Sequence, residues 1–475
     1  MVVKKWLRRI GTVMGGLILL VAIAIVLILW LDSRHTSYLR IRDTNNSFVL
    51  TNVNIVPMTA DTVLYGQRIL VKNGEIMEIA PTIDGGPYKR IDGKGRFVTP
   101  GLADMHVHIW DDYELGLYLS KGVTTVRNMW GMPFHLRMKE RISNNDIYAP
   151  LFFTASPKLT GPDDGGIDKK QVKDAQDARS LVVRYKEQGY DYIKTYAGLP
   201  QAIFDAIKDE ATAQHITLAS HPSFEVPYDY HFSKPIKSLE HTEDIVQQVL
   251  DFKQDSILLQ STIDAYVLNK MAHTPTLTVF HKIVEIIKKD SLLLKQHGIG
   301  YMNPAFLEFG AKDDYNRWTS TKLYEPEVGN RIKKQHQHHL QIVKQMNDAG
   351  VTLIAGTDSG ISYAIPGFGI HEELGFYIDA GLSNYEALRT ATVNPSKVYK
   401  ELAETGTLEN GKLANMILVK DNPLENLETL ETPEAVFIKG HPLDTKTLTQ
   451  FQTKAFRRGN YWSTLVRLGE GLLFQ

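Results

Sequence analysis

The sequence predicts an α/β protein: a (β/α)8 TIM barrel with a small β-sandwich domain built from segments before and after the barrel, preceded by one N-terminal transmembrane helix. Three observations predict it. Short apolar runs alternate with amphipathic helical stretches through the middle of the chain, two regions of turn-punctuated strands flank that middle, and the first thirty residues carry a long uncharged run.

At the start, "MVVKKWLRR" is followed by "IGTVMGGLILLVAIAIVLILWL", 22 residues without a charge, enough helix to cross a bilayer core of about 30 Å. Lys4, Lys5, Arg8 and Arg9 precede it. The positive-inside tendency then keeps residues 1–9 in the cytoplasm, with the span at 10–31 and a linker at 32–45. Everything beyond lies on the extracytoplasmic side of the cell membrane, held by a single pass. A cleaved signal peptide is the competing reading; its apolar region is usually shorter and ends in a small-x-small site, whereas this one ends "LILWLDSRH".

From about Ser47 the pattern turns to short strands: "FVLTNVNIVPM", "GQRILVKNGEIMEIAP" and "GKGRFVTPG" alternate apolar and polar residues around Asn-Gly and Gly-rich turns. "GTLENGKLANMILVKDNPL" and "PEAVFIKGHPL" repeat that texture near the other end. Residues 46–98 and 405–445 are therefore expected to pair into one composite β-sandwich domain, closed around a barrel at 99–404. In the barrel region "VTTVRNM", "PLFFTAS", "YDYIKTYAG", "ITLASHPS", "KSLEHTED", "HTPTLTVF" and "VTLIAGTDSG" each precede a helical pattern. With "GLADMHVHIW" they make roughly eight strand-then-helix units. Residues 446–475 form a C-terminal tail whose aromatics and leucines have three possible partners: the barrel, a neighbouring chain or the membrane.

Composition is that of an ordinary globular protein, 43% hydrophobic and 23% charged, and the net charge of −1 gives no electrostatic reason to expect nucleic acid. The absence of cysteine excludes disulfides, thiol nucleophiles and cysteine-ligated metals. Any metal rests on His, Asp, Glu or something unusual.

"GLADMHVHIW" puts His106 and His108 one residue apart in an apolar run. On a strand both imidazoles leave the same face, roughly 6–7 Å apart at their backbones, and two imidazoles aimed at one point suggest a metal. The spacing alone is weak, because 16 histidines in 475 residues give about half of one such pair by chance. "QHQHHL" repeats it at His336 and His338 in a polar segment of helical pattern, where residues two apart diverge by about 200°; that cluster is expected to be a solvated helix face. Barrel chemistry sits at the C-terminal ends of strands, and Lys194, His221, His241 and Asp358 all fall there with the first pair. Singly each has a structural explanation: a barrel-end ion pair for Lys194, hydrogen-bonded core histidines, a turn cap for Asp358. Jointly those explanations must coincide on four strands.

At this point the chain resembles the amidohydrolase superfamily, on its imidazolonepropionase-like and prolidase-like branch. The opening motif matches Pro100, Gly101, Asp104, His106 and His108; Lys194, His221, His241 and Asp358 match the lysine, histidines and aspartate of strands four, five, six and eight. The resemblance implies a hydrolase with two divalent ions. His106 and His108 would hold one ion with Asp358, His221 and His241 the other, and a CO2-derived carbamate on Lys194 would bridge them. Zinc is the default because imidazole suits it, though manganese, iron and nickel also accept such ligands. A bridging hydroxide would attack the amide carbonyl, with Asp358 as proton acceptor and then donor to the leaving nitrogen. In a one-ion variant Lys194 stays unmodified and His241 bonds the substrate. Asp104 is expected behind the ligands. "SHPSF" at strand five and Asn415 depart from the family pattern.

The expected substrate is a small amide such as a dipeptide or N-acyl amino acid. The alternatives are a cyclic amide, a lactam or imidazolone, and a non-catalytic membrane-tethered binding protein on the same fold. His371 in "PGFGIHEEL", Tyr196, His281 ending "TLTVFH" and Arg127 in "TTVRNM" are the candidate substrate contacts, Arg127 as the cation for a peptide carboxylate.

Overall fold

The computed structural model describes residues 2–166 and 168–474, without the side chains of residues 2–5 and 7–9; the basic cluster Lys4, Lys5, Arg8 and Arg9 has its side chains outside the described residues. The first helix runs Val2–His35, and its Ile10–His35 stretch is long and apolar enough to cross a membrane by length and composition. None of its apolar window is buried against the rest of the chain.

Four strands follow: β1 (Phe48–Ile55), β2 (Leu64–Lys72), β3 (Glu75–Ala80) and β4 (Lys89–Pro100). The central region supplies β5 (Leu102–Val107), β6 (Val123–Asn128), β7 (Leu151–Thr154), β8 (Lys158–Thr160), β9 (Lys169–Gln171), β10 (Tyr192–Thr195), β11 (Thr217–Ser220), β12 (Ile236–Glu240) and β13 (Ala272–Thr274). The chain then returns with β14 (Met416–Val419), β15 (Ala435–Ile438) and β16 (His441–Asp444).

The two flanking regions join in one seven-stranded sheet of order β16-β15-β14-β4-β1-β2-β3, with β14 antiparallel to β4. The sandwich expected from the sequence takes the form of a single sheet curled over its own core: β3 is bridged back to the segment before β14 at Glu75 and Leu413, around Leu50, Ile69, Ile76, Val98 and Met416. Asn415, remote from the chemistry, accepts the Lys439 N–H at 2.7 Å within this domain.

Parallel pairing in the middle of the chain runs in a closed circuit. β5, β6 and β7 pair in order, Ala155 bridges to Tyr192, β10 to β13 pair in order, His273 bridges to Leu353, and Ser359 bridges back to Val107. The third segment is split: β7 pairs with β6, β8 with β10, and Pro157, which has no N–H for a ladder, stands between them. The eighth segment makes isolated bridges only. "LTVF" is helical, opening the helix Leu277–Lys289 behind Thr276, because β13 ends at Thr274 and Pro275 closes the strand; its β-branched residues face a helix environment that propensity does not foresee.

The histidine cluster of "QHQHHL" is also different from expectation. Helix Val328–Asp348 turns His336 and His339 inward, with His336 against His281 and Phe376 at ring-centre distances of 4.7 and 4.9 Å. It is a buried face, although His336 and His338 do diverge.

The C-terminal segment is built into the structure. Helix Thr445–Phe456 packs on helix Asp112–Ser120, and Arg458 inserts its guanidinium 2.7 Å from Asp111, fully buried. Helix Tyr461–Phe474 follows and touches the first helix, where Arg467 pairs with Asp32 at 2.8 Å.

Candidate metal centre

His106 and His108 leave β5 on one side, their ring centres 5.7 Å apart, as period-2 alternation requires. The eighth segment lies alongside and carries Asp358, whose Oδ1 stands 2.8 Å from His108 Nε2 and 3.3 Å from His106 Nε2. Asp104 ties the two segments together: its carboxylate accepts the Thr357 N–H at 3.1 Å and the Thr357 hydroxyl at 2.7 Å. Burial pushes the Asp104 carboxyl up to about 8. It lies one layer behind the histidines, bonded to Thr357.

Across the circuit, His241 packs against His106 at 4.8 Å and against His221 at 4.6 Å between ring centres. His106, His241 and Asp358 offer ligand atoms that all lie within 4.8 Å of one another. This tight trio straddles the two ligand sets that the family resemblance separates. His241 and Asp358 both have positive φ, 70° and 57°, a conformation uncommon for residues with a side chain and concentrated at functional sites. At both positions the backbone turn comes at the end of a barrel segment.

Each ligand candidate has a partner that aims it. His106 Nδ1 meets Glu240 at 2.9 Å and His241 Nδ1 meets the Thr276 hydroxyl at 2.8 Å, which leaves each Nε2 toward the cluster. Burial holds the His106, His221 and His241 imidazoles below their ordinary range and His108 down to about 3, which favours the neutral form that ligates metals. Asp358 is the opposite case: burial works against its charge, but the neighbouring histidines, His106 foremost, outweigh it and hold the carboxyl well below its usual value.

Lys194 is fully buried and, among the described residues, its Nζ has no hydrogen-bond partner; burial lowers it to about 8. Asp358 Oδ1, by contrast, faces His108 Nε2 and His106 Nε2. A buried ammonium without a partner is costly unless something else engages it. The donors around these two residues are all nitrogen and oxygen, a set that fits a divalent transition metal.

These residues form one wall of a cavity of about 320 Å3, lined also by Lys158, Tyr196, Glu243, Asp314, Arg317 and Trp318. Tyr196 is there as the sequence predicts, its ring 4.8 Å from that of His221. Three other candidate contacts are not. Arg127 is wholly buried beneath Glu240, at 2.8 Å, with its Nε donating to the Met105 carbonyl and the guanidinium also bonded to Tyr399; the barrel interior consumes it as a counterion. His371 starts a turn of helix that swings it away, and its Nε2–H donates to the Lys121 carbonyl at 3.0 Å. His281 faces His336 and Phe376, while Phe280, one helical step away, takes the cavity position. Glu240, Thr276 and Lys158 escaped the sequence reading. For Glu240 the signal was present: in "SLEH" it precedes His241 and shares a strand face with Ser238.

A model of the amidohydrolase family matches residues 192–443, more than half of the chain. The chain belongs to the amidohydrolase family. It is 35% identical to ochratoxinase of Aspergillus niger over 100 residues, 21% of this chain and 20% of that one, so the match spans about a fifth of that relative's length. Among solved structures, a bottromycin amidohydrolase superposes with TM-score 0.71 at 20% identity, covering 93% of this chain and 96% of that one. A Xaa-Pro dipeptidase with methionine bound in its active site superposes with TM-score 0.65 at 19% identity, covering 84% and 100%.

Proposed function

We propose that the protein is a metal-dependent hydrolase of carbon–nitrogen bonds acting on a small amide, a dipeptide or N-acyl amino acid, and anchored in the membrane by its first helix with the catalytic domain outside the cytoplasm. One observation carries the reading: His106, His108, Lys194, His221, His241 and Asp358, drawn from five barrel segments, converge on a single cavity wall with the Lys194 nitrogen left unpartnered. Ions would be held by those six residues, His106, His108 and Asp358 on one side and His221 and His241 on the other, with a carbamate on Lys194 between them. When bound, divalent ions supply Lewis acidity, lowering the pKa of water and polarising a carbonyl.

The protein's own groups do the rest. Glu240 and Thr276 fix the ring orientations of His106 and His241. Asp358 takes the proton released as water adds to the amide carbon and delivers it to the departing nitrogen. Lys158, buried and paired with Asp168 at 2.5 Å, lines the cavity and takes the role of carboxylate-binding cation that Arg127 cannot fill. The Asp358→Asn variant tests the reading: hydrolysis of an N-acyl amino acid should fall about 10²–10⁴-fold with the thermal midpoint retained. Undiminished turnover in the variant removes Asp358 from the chemistry, and a protein without turnover before substitution is a binding scaffold.

A further inference from the structure

A second cavity, of about 550 Å3, opens beside the first and shares His108, Lys158, Tyr196, Asp314 and Ile361 with it. Its character is different. Trp110, Trp130, Phe306, Phe309, Leu468 and Leu472 give it an apolar wall. The indole N–H groups are already spent, Trp110 donating to the Gly360 carbonyl at 2.7 Å and Trp130 to the Ile109 carbonyl at 3.2 Å, so what these residues present to a ligand is carbon. Trp110 nests between Trp130 and Phe306, at ring-centre distances of 4.4 and 4.8 Å. Trp130 in turn lies 6.4 Å from the ring of His108, which puts the apolar wall directly against the candidate metal cluster.

At the rim, Phe309 and Leu472 remain largely exposed, 56% and 60%. Apolar surface left open next to a polar reaction site marks a binding surface. One side of the chamber is the C-terminal helix, through Leu465, Leu468, Gly469 and Leu472, and that helix is clasped to the foot of the apolar first helix by Arg467 and Asp32. The chamber therefore stands at the base of the segment that would sit in a bilayer.

We propose that this chamber receives the apolar acyl or aromatic group of the substrate, so that the protein acts on amphiphilic N-acyl amino acids in preference to small polar dipeptides. The proposal rests on the hydrolase reading of the adjoining cavity. It assigns the two halves of such a molecule by chemistry: the carboxylate and scissile amide lie among Lys158, Tyr196 and the histidines, and the carbon-rich group lies against Trp110, Trp130 and the C-terminal helix. The C-terminal helix is then a specificity element.

Gly469 provides the test. A Cβ at this position meets no atom within 4 Å, and glycine in a helix interior is the least favoured residue but proline, so Gly469→Phe fills the chamber without disturbing the helix. The metal-loaded full chain in detergent is titrated calorimetrically with dansylglycine and with methanesulfonylglycine, sulfonamides that share the carboxylate and resist hydrolysis. Dansylglycine should bind at least about tenfold tighter, and Gly469→Phe should abolish that advantage while leaving methanesulfonylglycine unchanged. Equal binding of the two probes, or weakening of both alike in the variant, overturns the proposal. In parallel, N-naphthoylglycine and N-acetylglycine are assayed for cleavage. Selective dansylglycine binding without cleavage of either amide rejects the hydrolase reading while the chamber assignment stands.

Discussion

Glu240 receives His106 Nδ1 at 2.9 Å on one oxygen and the Arg127 guanidinium at 2.8 Å on the other, so a single buried carboxylate links the barrel interior to the candidate metal cluster. Burial alone would raise this carboxyl; Arg127, the His106 hydrogen bond and Lys194 together outweigh that and hold it well below its ordinary value. The result is a charged acceptor that fixes the tautomer of His106 and points its Nε2 at Asp358.

The link predicts two effects of Glu240→Gln. Removing one partner of a buried pair leaves the other uncompensated, so stability should fall by about 3–5 kcal/mol in urea unfolding. Metal affinity, read by competition with a fluorescent chelator, should fall about 10–100-fold because the histidine loses its orienting acceptor. Full stability together with full affinity would show that Glu240 does neither job.

His336 gives a pH prediction away from the metal site. Burial and then the charge of His281 depress it to about 3 from an ordinary 6.5; on the same helix, burial also holds His339 well below its ordinary range. The folded state excludes a proton that the unfolded chain accepts, so this contribution to stability is present above about pH 6.5 and is lost as pH falls toward 3. His336→Phe, which keeps an aromatic ring against Phe376, should flatten the pH dependence of the unfolding free energy near pH 5 by about one proton. An unaltered slope would mean that His336 is solvated after all.

Lys158 replaces Arg127 as the predicted carboxylate contact. Lys158→Met should lower kcat/KM for an N-acyl amino acid by about tenfold, with little change for the same molecule as its carboxamide, because only the former meets the lost cation. Equal losses on both would assign Lys158 to architecture, through Asp168, instead of recognition.

The candidate metal cluster was more legible in the sequence than the residues lining the cavity beside it. His106, His108 and Asp358 were legible because strand periodicity and barrel-end position constrain where such residues point. Arg127, His281 and His371 were misread for a common reason: a polar residue near a strand end has several ways to be satisfied. Here a buried carboxylate, a helical turn of about 100° and a distant carbonyl each claimed one of them. The apolar chamber had no signature at all, since Trp110, Phe306 and Leu468 are far apart in the chain and meet only after the C-terminal helix docks. Pro157 was visible as a strand breaker, but that the two halves of the broken strand would pair with different neighbours was not.

Metal stoichiometry tests whether these six residues hold divalent ions with Lys194 between them. The full chain, expressed with added bicarbonate, is purified beside its Lys194→Ala variant, and bound metal per chain is measured in both. Near two ions are expected in the parent and clearly fewer in the variant. About one ion in each would take Lys194 out of the metal site, and none in either would contradict a metal-dependent hydrolase.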